Sequence, residues 1–217
     1  MPDFETRRRI MVDTQVRPSD VTKFPIIDAM LRIPREVFVP EALIEAAYVG
    51  ENLTLAPQRC LLDPRTLAKM LDALEVTRAD LVLDLGCGTG YSAALLAQMA
   101  QAVVAVEQDA RLAADADTAL AQVGAEAVVL VHGVLTDGSP THAPFDAMIL
   151  QGGIEVFPEA LGAQLRDGGR VIALFMDGAL GVVRLGVRHG DTIGWRDMFN
   201  AAAPVLPGFS RVPTFAL

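Results

Sequence analysis

The chain has 217 residues, 52% of them apolar and 21% charged, with 27 acidic against 18 basic side chains and a formal net charge of −9. That length suits one domain with room for a small subdomain, and it can bury a substantial core. The negative balance argues against broad nucleic-acid binding, which needs clustered cations against phosphate. No run of about 18 apolar residues points to a membrane span. The opening MPDFETRRRIMVDTQ lacks the apolar core of a secretory signal, so the expected location is cytoplasmic. Cys60 and Cys87 form no CxxC pair and suit a reducing compartment. His132, His142 and His189 have no metal-ligand spacing, and no metal is expected.

Residues 1–75 read as helical, punctuated by Pro18, Pro25, Pro34, Pro40, Pro57 and Pro64. The clearest helix there is 64–74: Asp63 is placed to cap it, Pro64 suits its first position, and Leu67, Met70, Leu71 and Leu74 make one apolar face. From about residue 80 the pattern changes. Short Val/Leu/Ile-rich runs at 81–85, 102–107, 127–131, 145–150 and 170–175 alternate with helix-like segments at 91–100, 110–123 and 157–165. Continuous apolar runs of that length fit strands buried on both faces, and their alternation with helices predicts a parallel sheet with right-handed crossovers. Segments 180–188 and 193–199, separated by His189-Gly190-Asp191, read as an antiparallel hairpin. The end, APVLPGFSRVPTFAL, reads as irregular chain. The expected fold is α/β: a Rossmann-like, doubly wound, mostly parallel sheet of about seven strands with the last pair antiparallel. A helical N-terminal subdomain, 1–75, precedes the sheet domain, 76–217.

The most informative stretch is LVLDLGCGTGYSAALLA at 81–97. A strand runs into Gly86, Gly88 and Gly90 at alternate positions, and a helix opens at Tyr91. Alternate glycines let the chain turn sharply and let a ligand approach the backbone, while the helix start behind them offers free amides. A dinucleotide fingerprint would place its third glycine at position 91, which is Tyr. The pattern is instead D-x-G-x-G-x-G from Asp84. An acid just before the loop suits a ligand with an amino group and no pyrophosphate, and S-adenosylmethionine is such a ligand. Asp84 would pair with its ammonium, directly or through water, and the loop Gly86-Cys87-Gly88-Thr89-Gly90 would meet its carboxylate. Glu107 closes the next strand about 20 residues on, where an acid accepts from both ribose hydroxyls, with Gln108 beside it. Gly133 and Val134 follow the third strand and would flank the adenine ring. Tyr91 either lies over the cofactor or simply begins the helix.

Two further segments carry a family resemblance. IPREVFVPEALIEAAYVGENLTL (33–55) and APFDAMILQGGIEVFPEALGAQLRDGGRVIAL (143–174) resemble the protein-L-isoaspartate O-methyltransferase family, and the likeness runs from about residue 7 to 174. It implies an S-adenosylmethionine-dependent enzyme of protein repair that methylates an isoaspartyl carboxylate in a protein or peptide. One departure stands out. The family's Thr-Ile-Ser segment, whose serine is taken as catalytic, falls on Cys60-Leu61-Leu62, so the serine position is Leu62 and no catalytic residue is assigned. By the same resemblance Leu61 and Leu62 belong with the cofactor contacts. Arg59 and Arg65 flank this segment and are candidates to clamp an acidic acceptor, or else are solvated surface arginines. Gln151, at the end of the fourth strand, is a candidate acceptor ligand or a local backbone partner. Two alternatives stay open: the same lineage acting on another acceptor, such as a small acid, or a non-catalytic S-adenosylmethionine-binding module. The oligomeric state is not legible.

Overall fold

The computed structural model describes residues 3–211. The chain starts with α1 (Phe4–Met11), which runs on through a π-helical turn, Val12–Val16, and then forms α2 (Phe24–Arg32). A two-stranded antiparallel hairpin follows, β1 (Leu53–Ala56) and β2 (Arg59–Leu61). Next comes α3 (Pro64–Leu74), whose cap Asp63 accepts from the Thr66 amide at 2.9 Å. The hairpin departs from the expected all-helical segment. Its strands have four and three residues, too few for alternation to register, and its turn is made by Pro57 and Gln58 without a glycine.

The main sheet has seven strands. In chain order they are β3 (Leu81–Leu85), β4 (Ala102–Glu107), β5 (Val128–His132), β6 (Phe145–Ile154), β7 (Leu165–Asp177), β8 (Leu180–His189) and β9 (Thr192–Asn200). Their spatial order is β5-β4-β3-β6-β7-β8-β9, parallel from β5 to β7, with β7–β8 and β8–β9 antiparallel. Helices α4 (Tyr91–Ala97), α5 (Ala110–Gln122) and the short α6 (Glu159–Gly162) connect the strands. The helix expected at 157–165 shrinks to α6 because Leu165 already pairs with Phe145, and both are fully buried. Strand β7 therefore begins five residues earlier than the expected 170 and passes Gly168 and Gly169 before its register resumes at Arg170.

Successive side chains of each strand point to opposite faces. On one face Val82, Val103, Ala105, Ala147, Ile149, Ile172 and Leu174 join the apolar side chains of α2, α3, α4 and the hairpin in a single cluster. On the other, Leu83, Leu85, Val104, Val106, Met148 and Leu150 pack with Leu206 and Phe209. Those last two belong to the irregular C-terminal chain, which is fastened to β6: the Gly153 amide donates to Pro204 O and the Leu206 amide to Gly153 O, both at 2.8 Å. The expected irregular end is seen as far as residue 211, and 212–217 lie outside the described residues. Among the described residues no helix is long and apolar enough to cross a membrane.

Strand order positions the site. From β3 the chain moves outward through β4 and β5, then returns to place β6 on the other side of β3. Such a switch point opens a crevice beyond the carboxyl ends of the central strands, where open α/β sheets bind ligands.

Candidate active site

The loop Gly86–Gly90 lies at that crevice. Gly86, Gly88 and Gly90 have φ of +72°, +60° and +95°, a region L side chains avoid. The Gly86 and Cys87 amides donate to Val106 O at 2.8 and 3.3 Å, which ties the loop to the end of β4. The hairpin faces the loop closely. A Cβ on Gly86 would stand 2.7 Å from Arg59 Nη1, and one on Gly88 would stand 2.8 Å from Leu55 Cδ1.

Glu107, the last residue of β4, has no exposed surface. Its Oε1 accepts from the Gln108 and Asp109 amides at 2.9 and 3.0 Å, and its Oε2 accepts from the Gly88 amide at 2.8 Å. The fourth donor is Arg59 Nη2, which forms a buried ion pair with Oε2 and also donates to Gly86 O at 2.6 Å. An ionised carboxylate offers about four acceptor positions, and here all are taken. Arg59 is thus neither a free clamp nor a solvated arginine; its side chain is 4% exposed and committed to Glu107. Its Nε and Nη1 are buried without an acceptor among the described residues, and each such donor costs on the order of 1–3 kcal/mol.

Asp84, near the end of β3, is also fully buried. Its Oδ2 accepts from Ser92 Oγ at 2.6 Å and its Oδ1 from Gln151 Nε2 at 2.9 Å. Burial pushes its carboxyl up to about 6, against the opposing pull of those two hydrogen bonds and the Arg59 charge. Gln151 is therefore Asp84's partner, and its side chain is itself buried. Ser92 was missed in the sequence. Its signal is a hydroxyl in the first turn of the helix that follows a strand-end acid.

The other candidates divide. Gln108 is exposed beside Glu107; its Oε1 accepts from the Leu135 amide at 3.3 Å. The Gly133 amide donates to Glu107 O at 3.0 Å, and Val134 is 49% exposed on the same edge. Cys87 is buried in the loop, and desolvation raises its thiol well above its ordinary range. Thr89, Tyr91, Leu61 and Leu62 turn the other way. Thr89 Oγ1 donates to Phe38 O. Tyr91 has no exposed surface; its ring packs 5.5 Å from Phe38, with the Arg35 guanidinium 4.9 Å over its face. Leu61 and Leu62 are 5% and 1% exposed within the apolar cluster, so the side chain at the family's serine position is core. Arg35, another residue missed in the sequence, is fully buried and joins Ala47 O to Leu62 O at 2.7 and 2.8 Å. Arg65 is exposed on α3.

A cavity of about 170 Å³ opens at this edge, lined by Pro57, Arg59, Glu107, Gln108, Asp109, Leu135 and Pro207. Small-molecule sites commonly hold ~300–1,000 Å³. A larger hollow of about 520 Å³ lies between α6 and the β8–β9 turn, away from both carboxylates, and is lined by Phe157, Arg188, Ile193 and Trp195 among others.

Comparison with known proteins agrees with this geometry. The family model described as Protein-L-isoaspartate(D-aspartate) O-methyltransferase (PCMT) matches residues 7–186. A protein-L-isoaspartate O-methyltransferase of Syntrophus aciditrophicus (strain SB) is 39% identical over 172 residues, 79% of each chain. One from Methylorubrum extorquens (strain PA1) is 38% identical over 210 residues, 96% of this chain and 92% of the other. Among solved structures, a protein-L-isoaspartate O-methyltransferase superposes with a TM-score of 0.82 at 23% identity, covering 95% of this chain and 66% of that one. A putative one from Plasmodium falciparum, in complex with S-adenosyl-L-homocysteine, gives a TM-score of 0.79 at 15% identity over 95% of this chain and 99% of that one. A match across most of the length, in family model and close relatives alike, means that this chain belongs to the protein-L-isoaspartate O-methyltransferase family.

Proposed function

We propose that this chain methylates the free carboxylate of an isoaspartyl residue in a damaged protein or peptide, using S-adenosylmethionine. The observation that carries the reading is the pair of buried carboxylates, Asp84 and Glu107, at adjacent strand ends around a turn of three positive-φ glycines. That donor set fits the cofactor. Glu107 would accept from the ribose hydroxyl that reaches its Oε2, the glycine turn would let the amino-acid end approach its backbone, and Asp84 would supply the negative charge the ammonium needs. Gly133 and the exposed Val134 offer an apolar edge to adenine.

Bound there, the cofactor would supply an electrophilic methyl group to a carboxylate oxygen, with the thioether sulfur as leaving group. An ionised carboxylate attacks without losing a proton. No general base is needed, and a buried leucine at position 62 is compatible with turnover. What the protein contributes is alignment, together with exclusion of water at the strand ends, effects that can remove several kcal/mol from such a barrier. Both cysteines are free and buried, which suits a reducing compartment, and we place the activity in the cytoplasm.

The test is methyl transfer from labelled S-adenosylmethionine to a peptide carrying one isoaspartyl residue, with the aspartyl peptide of the same sequence as control. The expected product is a base-labile methyl ester on the isoaspartyl peptide alone. Equal labelling of both peptides, or none above background, would remove the assignment.

A further inference from the structure

We infer that Arg59 is a built-in competitor for the cofactor: its guanidinium occupies the ribose position on Glu107 and must swing away before the nucleoside can bind. The inference rests on the assignment of Glu107 as the ribose acceptor. Three of the four donors on that carboxylate are backbone amides, of Gly88, Gln108 and Asp109, held by the loop and by the start of α5. The fourth, Arg59 Nη2, is the only one that can leave by side-chain rotation. A sugar hydroxyl seeking Glu107 therefore has one place to take, and Arg59 holds it.

Three further observations describe how the guanidinium is held there. The guanidinium fills the space left by the missing side chain of Gly86, since a Cβ there would lie 2.7 Å from Nη1. It also covers Gly86 O, so it rests on loop backbone as well as on Glu107. Finally, Nε and Nη1 have no acceptor among the described residues, so the buried position satisfies the arginine only in part. The residue follows directly on the exposed hairpin turn at Pro57 and Gln58, where Gln58 has a φ of +58°. Arg59 thereby sets cofactor affinity: each binding event must first break its pair with Glu107.

The experiment measures the affinity for S-adenosylhomocysteine by titration calorimetry with the wild-type chain, Arg59→Ala and Arg59→Gln. Both variants are expected to bind at least ten-fold more tightly than wild type. Equal or weaker binding by the variants, with wild type binding measurably, would overturn the competitor role and leave the methyltransferase assignment standing. No binding by any of the three would remove that assignment and this inference together. A structure of the wild-type chain with S-adenosylhomocysteine provides a check free of folding defects. Arg59 Nη2 is expected to have left Glu107, and a bound nucleoside alongside an intact Arg59–Glu107 pair would refute the proposal.

Discussion

The two sides of the crevice are built differently. On the sheet side, the carboxylates of Asp84 and Glu107 stand at or next to the ends of largely buried parallel strands and are held by backbone amides, Ser92 and Gln151. Facing them is a hairpin of seven strand residues, outside the main sheet, that presents Arg59 and Leu55 to the glycine loop. The first side is rigid because moving it would disrupt the central sheet. The second meets the site through a side chain with several rotatable bonds. If Arg59 competes as inferred, ligand-binding geometry resides in the sheet and control of access in the hairpin.

The sharpest way to break this comparison is Glu107→Gln. The change removes the charge that holds Arg59 and the charged acceptor for the sugar. Breaking a buried pair from one side costs about 3–5 kcal/mol, so a large fall in denaturation midpoint is expected, together with loss of measurable S-adenosylhomocysteine binding. Retained stability and affinity would mean that the sheet side is not the anchor.

A smaller effect comes from Asp84. Its carboxyl, at about 6 in the fold against 3.8 ordinarily, is raised by burial, with Glu107 reinforcing and Arg59 opposing the shift. A raised acid stabilises the fold at pH values below its unfolded value, and that stability is lost as pH climbs through about 6. A shift of this size corresponds to at most about 3 kcal/mol. Wild type should therefore lose ground to Asp84→Asn between pH 4 and pH 7 in thermal melts. A nearby ammonium would favour the ionised acid, so cofactor affinity should rise over the same interval and binding should release protons. A stability gap that stays flat with pH would show that Asp84 is already ionised without help.

The smallest expected change sharpens the hairpin side. Asp63→Ala removes the cap of α3 next to β2 and should cost about 1 kcal/mol in urea unfolding. If S-adenosylhomocysteine affinity stays constant, the hairpin acts on the site through Arg59 alone; a parallel change in affinity would make hairpin and α3 one moving unit.

Local patterns made the sheet side readable. The strand ending at Leu85, the alternate glycines and the acid closing β4 are all expressed within 27 residues of sequence, and backbone pairing then dictates where they point. The hairpin side was not readable for the opposite reason. Arg59 meets a partner 48 positions away, through a contact that neither propensity nor periodicity encodes. Arginine at position 59 resembles a surface residue until the fold lays the hairpin over the loop. The same applies to Tyr91, whose place at the helix start was legible while its packing against Phe38 depended on where residues 35–38 would dock.

The anchoring of the C-terminal chain along β6 has a consequence for biosynthesis. Pro207 contributes to the wall of the cavity beside Glu107, and Leu206 and Phe209 seal the sheet face beneath it. These residues are translated after every strand of the sheet. A nascent chain can thus pair β3 to β7 while still attached to the ribosome, yet the crevice acquires its last wall only after residues 204–209 have emerged.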